Sequence, residues 1–153
     1  MSAILEGDFC LFLIGMRINH PLKVHKWLPV AMAMPRMISE LQAHPQLGLL
    51  GGDFWFGRTT ISLQYWRSQE HLFAYASNRN LKHLPAWSAF TRTVGDSGDV
   101  GIWHETYSIK GGSFETIYHN MPPFGLGRVG TLIPATGHYQ SARERMNRSP
   151  EER

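Results

Sequence analysis

The sequence predicts an α+β fold of the ferredoxin-like kind, in which an antiparallel four-stranded sheet carries two helices on one face. The first observation is the order of its predicted elements, β-α-β-β-α-β with one further short strand. The second is the first strand, from Asp8 to Ile18, whose alternating faces are both apolar, so that both must be covered. The third is size, because 153 residues with 42% hydrophobic and 18% charged content suit one globular domain.

Helices cover only one face of a ferredoxin-like sheet, so another element must cover the second face of the first strand. The simplest solution is a homodimer whose two sheets close into an α+β barrel. The alternative is that the tail of the same chain covers that face. We assign residues 1–130 to the barrel-forming domain and 131–153 to a C-terminal extension that is partly flexible, since its end is rich in charge.

The first helix is predicted from about Leu22 to Ala43, where apolar residues recur at steps of four and three. Pro29 fits its first turn, whereas Pro35 lies inside and is expected to kink or divide it. The methionines of this segment are interpreted as adaptable packing rather than as metal or haem ligands. The apolar stripe consists of Trp27, Ala31, Met34, Ile38 and Leu41.

A β-hairpin and a second helical region are predicted next. The segment 47–56 is typical of a strand interrupted by glycines, and 59–66 alternates polar with apolar residues, so the two are expected to pair. Ser68 is a plausible N-cap for a helix that ends near Asn78. A further helical segment is expected to begin near Pro85, because proline is favoured in a first turn.

The remainder of the chain is predicted to contain two strands and a loop. The segments 100–109 and 114–119 have the composition of strands, separated by a turn at Gly111 and Gly112. From Met121 to Gly130 the density of proline and glycine argues against a helix or strand. We expect a loop there that wraps the body of the protein or a partner subunit.

Composition disfavours several classes of function. The net charge is +3 without a dense basic stripe, so nucleic-acid binding is not expected. Cys10 is the single cysteine, which excludes a disulfide framework and indicates a buried core thiol. No run approaches the roughly 20 apolar residues of a membrane span. Glu6 and Asp8 precede the first apolar run, where an export signal needs positive charge, so a cytoplasmic location is expected.

Two histidines are the candidate reactive residues. His83 and His104 lie in apolar, tryptophan-rich segments on either side of the polar loop 95–98, so the fold could bring both to one cavity. His83 precedes a predicted helix and could ligate a metal cofactor, and the alternative is that it is a packing residue. His104 could act as a general acid or base on a face that looks into a barrel, or be a hydrogen-bonded core histidine. Successive residues of a strand point to opposite faces of the sheet. Ile102 and Thr106 therefore share the face of His104, and the opposite face carries Trp103, Glu105 and Tyr107.

Three blocks of sequence carry a resemblance to a known family. WRSQEHLFAYASNRNLKHLPAW, GIWHETY and FETIYHNMPPFGLGR resemble monooxygenase-like proteins of the dimeric α+β barrel superfamily, the group related to a fumagillin-pathway monooxygenase. The resemblance extends from the first strand to about Gly130. It implies the barrel dimer and an enzymatic role.

A more distant similarity is to one half of the haem aldoxime dehydratases. It rests on Trp66-Arg67-Ser68, His83 before an aromatic helix, and His104-Glu105 on the next strand. It implies that His83 is the proximal haem ligand and that His104 is a distal acid/base. The dehydratases also use a distal serine and arginine, for which no match is found here; the candidates for the arginine are Arg17, Arg58 and Arg128.

The function predicted from these features is that of a small, homodimeric, monooxygenase-like oxidoreductase acting on a small hydrophobic substrate. Haem held by His83 is the expected cofactor, with no cofactor as the alternative, and His104 is the expected catalytic residue. Three alternatives stay open: a lyase of the aldoxime dehydratase type, a cofactor-free monooxygenase, and a haem or ligand-binding protein without turnover. The predicted walls of the pocket are Phe54, Trp66, Trp87, Trp103 and Tyr107.

Overall fold

The computed structural model describes residues 1–146 of the chain, in six strands and five α-helices. Short 3₁₀ turns follow α1, α3 and β6, at Pro45–Leu47, Gly95–Ser97 and Gly137–Tyr139. The elements in chain order are β1 (Ser2–Ile4), β2 (Phe9–Ile18), α1 (Val24–Ala43), β3 (Leu49–Trp55), β4 (Ile61–Trp66), α2 (Gln69–Ser77), α3 (His83–Thr93), β5 (Val100–Ile109), α4 (Leu126–Val129), β6 (Thr131–Ile133) and α5 (Ala142–Met146).

The main sheet has the order β3-β4-β2-β5, with every neighbouring pair antiparallel. This is the predicted ferredoxin-like arrangement, with the doubly apolar strand β2 in the interior of the sheet. Ten register pairs join β2 to β5, from Phe9 with Ile109 to Ile18 with Val100. The strand predicted over 100–109 is therefore confirmed.

The helices pack on one face of this sheet and form its principal core. Cys10 of β2 and Trp66 of β4 contact Met37 and Leu41 of α1 in one cluster that also includes Leu72 and Tyr75 of α2. Cys10 is fully buried, as predicted, and burial raises the pKa of its thiol. Ser68 also has its predicted role, because its hydroxyl caps α2 by accepting from the backbone N–H of His71.

Helix α1 contains both Pro29 and Pro35 and is not divided at either. Of the two outcomes expected at Pro35, a kink or a division, the division was therefore wrong. Pro29 was also wrongly placed in the first turn, because the helix already begins at Val24. A proline within a helix removes one backbone hydrogen bond and costs about 3 kcal/mol. Burial of Met37 and Leu41, which follow Pro35 and contact the sheet, offsets that cost.

The segment after β5 differs from the prediction in two respects. No strand forms over 114–119; instead Tyr118 and Met1 exchange two backbone hydrogen bonds of 2.8 Å, and Ala3 N–H donates to Thr116 Oγ1 at 2.7 Å. The expected loop up to Gly130 contains the short helix α4, and β6 follows it and pairs antiparallel with β1. These partners lie more than 100 residues away, so local composition does not reveal them.

The second face of the sheet is covered at one end by the tail of the same chain. Phe9 and Tyr65 pack there with Ala3 and Leu126, and the half-buried apolar residues around them include Phe114, Tyr118, Val129 and Leu132. At the other end Trp55 and Ile61 remain 42% and 39% exposed, although the ring of Trp55 meets that of Phe124 of the tail at 5.8 Å. Tyr107, beside Leu11 on the edge strand β5, is 45% exposed. The alternative that the tail covers this face is thus correct for one end.

Within residues 1–146, no helix is both long and apolar enough to cross a membrane. The expectation of a flexible end to the C-terminal extension concerns residues 147–153, which lie outside the described range.

Gly15 of β2 provides a test of this packing. An added methyl group would collide with the Thr60 carbonyl oxygen and lie 2.6 Å from the Trp103 indole nitrogen. We predict that Gly15→Ala lowers the free energy of unfolding by about 1–3 kcal/mol, the usual cost of overpacking. Chemical denaturation followed by circular dichroism measures the change.

The matched control is Gly101→Ala on the neighbouring strand β5, where the nearest side-chain atoms, on Arg17 and Asn19, are 3.7 and 3.8 Å from the added carbon. This substitution should leave stability within about 0.5 kcal/mol of the wild type. Equal effects of the two substitutions would contradict the described approach of Thr60 to Gly15.

Candidate functional site

A cavity of about 330 Å³ lies between the main sheet and the helices α1, α2 and α3. Its volume is within the range of small-molecule sites. Among the residues that line it, none is a lysine, arginine, aspartate or glutamate. The sheet contributes Phe12, Ile14, Gln64, Ile102 and His104, and the helices contribute Met34, Met37, Leu72, Tyr75 and Phe90, among others.

Five of the seven residues predicted for the site line this cavity, namely Phe54, Trp66, His83, Trp87 and His104. Trp103 and Tyr107 do not. They lie on the other face of β5, because successive strand residues point to opposite sides of a sheet. Trp103 instead packs near Gly15, and Tyr107 donates a hydrogen bond of 2.6 Å to Glu105. The aromatic walls predicted for one pocket are therefore divided between the two faces.

His83 is the first residue of α3 and is half-buried at the junction with α2. Its Nδ1 is 2.9 Å from the carbonyl oxygen of Ala76, and its ring packs 6.2 Å from the ring of Tyr75. A carbonyl oxygen can only accept, so Nδ1 must carry the proton. The neutral ring then has its lone pair on Nε2, the arrangement found in most histidines that ligate a metal through Nε2.

His104 lies opposite Ile14 in the β2–β5 ladder, and its ring is 5.7 Å from the ring of Phe12. It is exposed, and within residues 1–146 its imidazole has no hydrogen-bond partner. The hydrogen-bonded core histidine is therefore excluded for the described part of the chain. The face that His104 occupies looks toward the helices and not, as expected, toward the side on which two sheets would form a barrel.

A buried polar stripe on β4 was missed by the sequence analysis. Ser62, Gln64 and Trp66 are 2%, 4% and 1% exposed on the face beneath the helices. Trp66 Nε1 donates to Gln64 Oε1 at 3.0 Å, and Gln64 Nε2 donates to Ser62 Oγ at 3.1 Å. The strict alternation of polar and apolar residues on this strand was a usable signal, because a sheet covered on both sides must bury the polar set as well.

Glu40 of α1 connects the three helices around the cavity. Its Oε2 accepts from the hydroxyl of Tyr75 at 2.9 Å and from the backbone N–H of Lys82 at 3.0 Å. Burial, together with the Glu40 carboxylate, raises the pKa of the Tyr75 phenol well above its ordinary value. Tyr75 therefore stays protonated at physiological pH and positions the helices rather than serving as a base.

No group of three or more histidine, cysteine, aspartate or glutamate side chains that could hold a metal ion occurs in the described range 1–146. The three arginines considered as candidates for the distal arginine of a dehydratase-like site form hydrogen bonds or ion pairs outside the cavity. Arg128 pairs with Asp53 at 2.7 Å, Arg17 donates to Thr59 Oγ1 at 2.8 Å, and Arg58 donates to the Ile18 carbonyl at 3.3 Å. None of them lines the cavity.

Comparison with known proteins places this geometry in context. The family model described as Monooxygenase af470-like matches residues 9–126. Monooxygenase af470 from Aspergillus fumigatus is 29% identical over 170 aligned positions, which take in 94% of this chain and 60% of that protein. The chain thus spans less than two thirds of the length of this relative.

Two solved structures superpose on this chain to different extents. An aldoxime dehydratase, OxdRE in complex with butyraldoxime, superposes with a TM-score of 0.65 at 16% identity over 86% of this chain and 40% of that chain. SnoaB, a cofactor-independent oxygenase from Streptomyces nogalater, superposes with a TM-score of 0.47 at 11% identity over 75% of this chain and 98% of that chain. At such identities the likeness to the dehydratase shows the fold alone.

The buried stripe can be tested by removing one donor. Trp66→Phe deletes the indole N–H and leaves Gln64 Oε1 buried without a donor, which should lower the free energy of unfolding by about 1–3 kcal/mol beyond the loss of ring volume. Trp27→Phe is the matched control, because Trp27 Nε1 donates to the exposed carbonyl of Pro21, which water can solvate instead. Equal destabilisation in the two variants would contradict the role of the Trp66–Gln64 bond.

Proposed function

The chain belongs to the monooxygenase af470-like family, and from this premise we propose that it is a monooxygenase-like enzyme that acts on a small hydrophobic molecule in the helix-side cavity. The apolar lining, which contains no lysine, arginine or carboxylate side chain in the described residues, favours an uncharged substrate. Haem is the proposed cofactor, with His83 as its ligand and His104 as the residue that transfers protons.

The single observation that carries this proposal is the hydrogen bond from His83 Nδ1 to the Ala76 carbonyl oxygen, at 2.9 Å. It fixes the tautomer and the direction of the ring, as the outer partner of a metal-bound histidine does. It leaves Nε2 as a lone-pair donor on a residue that lines an apolar cavity. Nε2 of His83 would therefore be the atom that holds haem iron.

Haem bound through His83 would supply the redox chemistry of its iron. The residues of the chain would provide the surroundings for that chemistry. Phe12, Trp66 and Phe90, which line the cavity, would exclude water from around a bound molecule. His104, at the exposed part of the lining and free of hydrogen bonds within the described residues, can accept a proton from a bound molecule or donate one to it.

A lyase of the aldoxime dehydratase type is the second candidate, because His83 and His104 line one cavity as that similarity implies. Loss of water from an aldoxime gives a nitrile, and His104 would protonate the departing hydroxyl group. This candidate is weaker than the first, since Arg17, Arg58 and Arg128 are all outside the cavity. The family membership also favours oxidation.

We propose further that the protein acts as a homodimer. The tail covers the second face of the sheet mainly at the Phe9 end. Trp55 and Ile61 at the other end and Tyr107 on the edge strand β5 remain well exposed. A second copy packed there would bury this apolar surface.

Titration of the purified protein with haem tests the ligand assignment. We expect a Soret band in the wild type that is lost or shifted in His83→Ala. His44→Ala is the matched control, because His44 Nδ1 also lies 2.9 Å from a backbone carbonyl oxygen, that of Glu40, but His44 is exposed and does not line the cavity. A Soret band unaffected by His83→Ala would show that His83 is not the haem ligand. The absence of a Soret band in the wild type would exclude haem binding and favour the alternative of a cofactor-free monooxygenase.

Turnover of the haem-loaded protein tests His104. We expect His104→Ala to lower peroxide-supported oxidation of styrene by about 10²-fold or more, the usual contribution of a general acid or base, with unchanged circular dichroism. His25→Ala, at an exposed position on α1, should retain activity. Unchanged turnover in His104→Ala would exclude it from the mechanism. Conversion of butyraldoxime to butyronitrile without oxidation of styrene would favour the lyase.

A further inference from the structure

The polar side chains of β4 lie on the side of the sheet where apolar residues would pack better. Thr60, just before the strand, and Ser62 and Gln64 on it are 4%, 2% and 4% exposed, whereas Ile61 on the opposite face is 39% exposed. Burying an amide costs free energy unless all its hydrogen bonds are made, and a leucine of similar size carries no such cost. The burial of Gln64 therefore calls for a role other than packing.

We propose that Gln64 is a specificity-determining residue that donates a hydrogen bond to a neutral oxygen atom of the substrate. The substrate class is thereby narrowed to small hydrophobic molecules that carry a carbonyl or a similar acceptor at the end that enters the cavity first. This inference rests on the proposed function in one respect only, that the cavity binds the substrate.

The orientation of the Gln64 amide is determined by its neighbour. The indole nitrogen of Trp66 can only donate, so the atom 3.0 Å from it must be the oxygen of the Gln64 side chain. The amide NH₂ group consequently points away from Trp66, toward Ser62 Oγ at 3.1 Å and Met34 Sδ at 3.6 Å. Both Gln64 and Met34 line the cavity.

One of the two amide hydrogens is available to a better acceptor. The partner at 3.6 Å is a thioether, which accepts hydrogen bonds weakly, and the methionine side chain has three rotatable bonds through which it can move aside. An entering carbonyl oxygen would replace the sulfur as the acceptor. The gain is larger than at a surface, because the amide is already removed from water.

Two other polar groups line the buried end of the cavity. Thr60 Oγ1 accepts from the backbone N–H of Met16 at 2.9 Å, which holds the hydroxyl against β2, and the Tyr75 hydroxyl donates its hydrogen to Glu40. Gln64 is in register with Phe12, and Phe12 with Thr106, so His104 lies two strands across and two residues along from Gln64, at a distance on the order of 12 Å. A substrate anchored at Gln64 would therefore extend toward His104, which fixes the end that reacts.

The experiment compares two probes of nearly equal shape, 2-acetylnaphthalene and 2-isopropylnaphthalene, by equilibrium dialysis against the protein as purified. The readout is the ratio of the two dissociation constants, because this ratio cancels any general change in the packing of the cavity. Relative to the wild type, Gln64→Met should shift the ratio against the ketone by about five- to tenfold, the value of one hydrogen bond. Gln42→Met makes the same change at an exposed glutamine of α1 that does not line the cavity, and it should leave the ratio unchanged.

A second measurement uses the wild type alone and so does not depend on whether Gln64→Met folds. In NMR spectra of protein labelled with ¹⁵N in its glutamine side chains, one Gln64 amide proton should move downfield with the ketone and not with the hydrocarbon. Binding of both probes with no such shift, or with a ratio that Gln64→Met leaves unchanged, would overturn this inference alone. Failure of both probes to bind would overturn the proposed function as well.

Discussion

The fold depends on covering both faces of β2, the strand that lies between β4 and β5 in the main sheet. Its residues are apolar on both sides, so a single layer of helices cannot bury it. On one side Cys10 and Phe12 meet α1 and the polar stripe of β4. On the other, Phe9 and Leu11 meet the tail that follows β5. The pairing of β1 with β6 holds that tail in place, which gives the N-terminal segment a structural role.

The candidate site follows from the way the helices cover their side of β2. They do not fill the space over the sheet, and the cavity that remains is bounded by α2 and α3 where the two helices meet. His83 lies at this junction and bonds back to Ala76 in the last turn of α2. Glu40 joins the same junction to α1 through Tyr75 and Lys82. The direction of the His83 ring is therefore set by contacts that also hold the three helices together.

Much of this arrangement could be predicted from local patterns. The strand over 100–109, the Ser68 cap and the ferredoxin-like order all follow from periodicity and capping, which act over a few residues. The pairing of β1 with β6 could not be predicted, because its partners are distant in sequence. Trp103 and Tyr107 were assigned to the cavity because they are aromatic, although the alternation of side chains along the strand already places them on the face opposite His104. Gln64 was overlooked, because an alternating polar residue ordinarily indicates solvent.

The central claim is that His83 presents an unprotonated Nε2 to the cavity, and its tautomer tests this most directly. Long-range ¹H–¹⁵N correlation spectra of protein labelled in its histidines, recorded where the ring is neutral, distinguish protonation at Nδ1 from protonation at Nε2. The hydrogen bond to Ala76 predicts the Nδ1–H tautomer for His83, with Nε2 free to bind iron. An Nε2–H tautomer would contradict the account, because the nitrogen assigned to the ligand would then carry a proton.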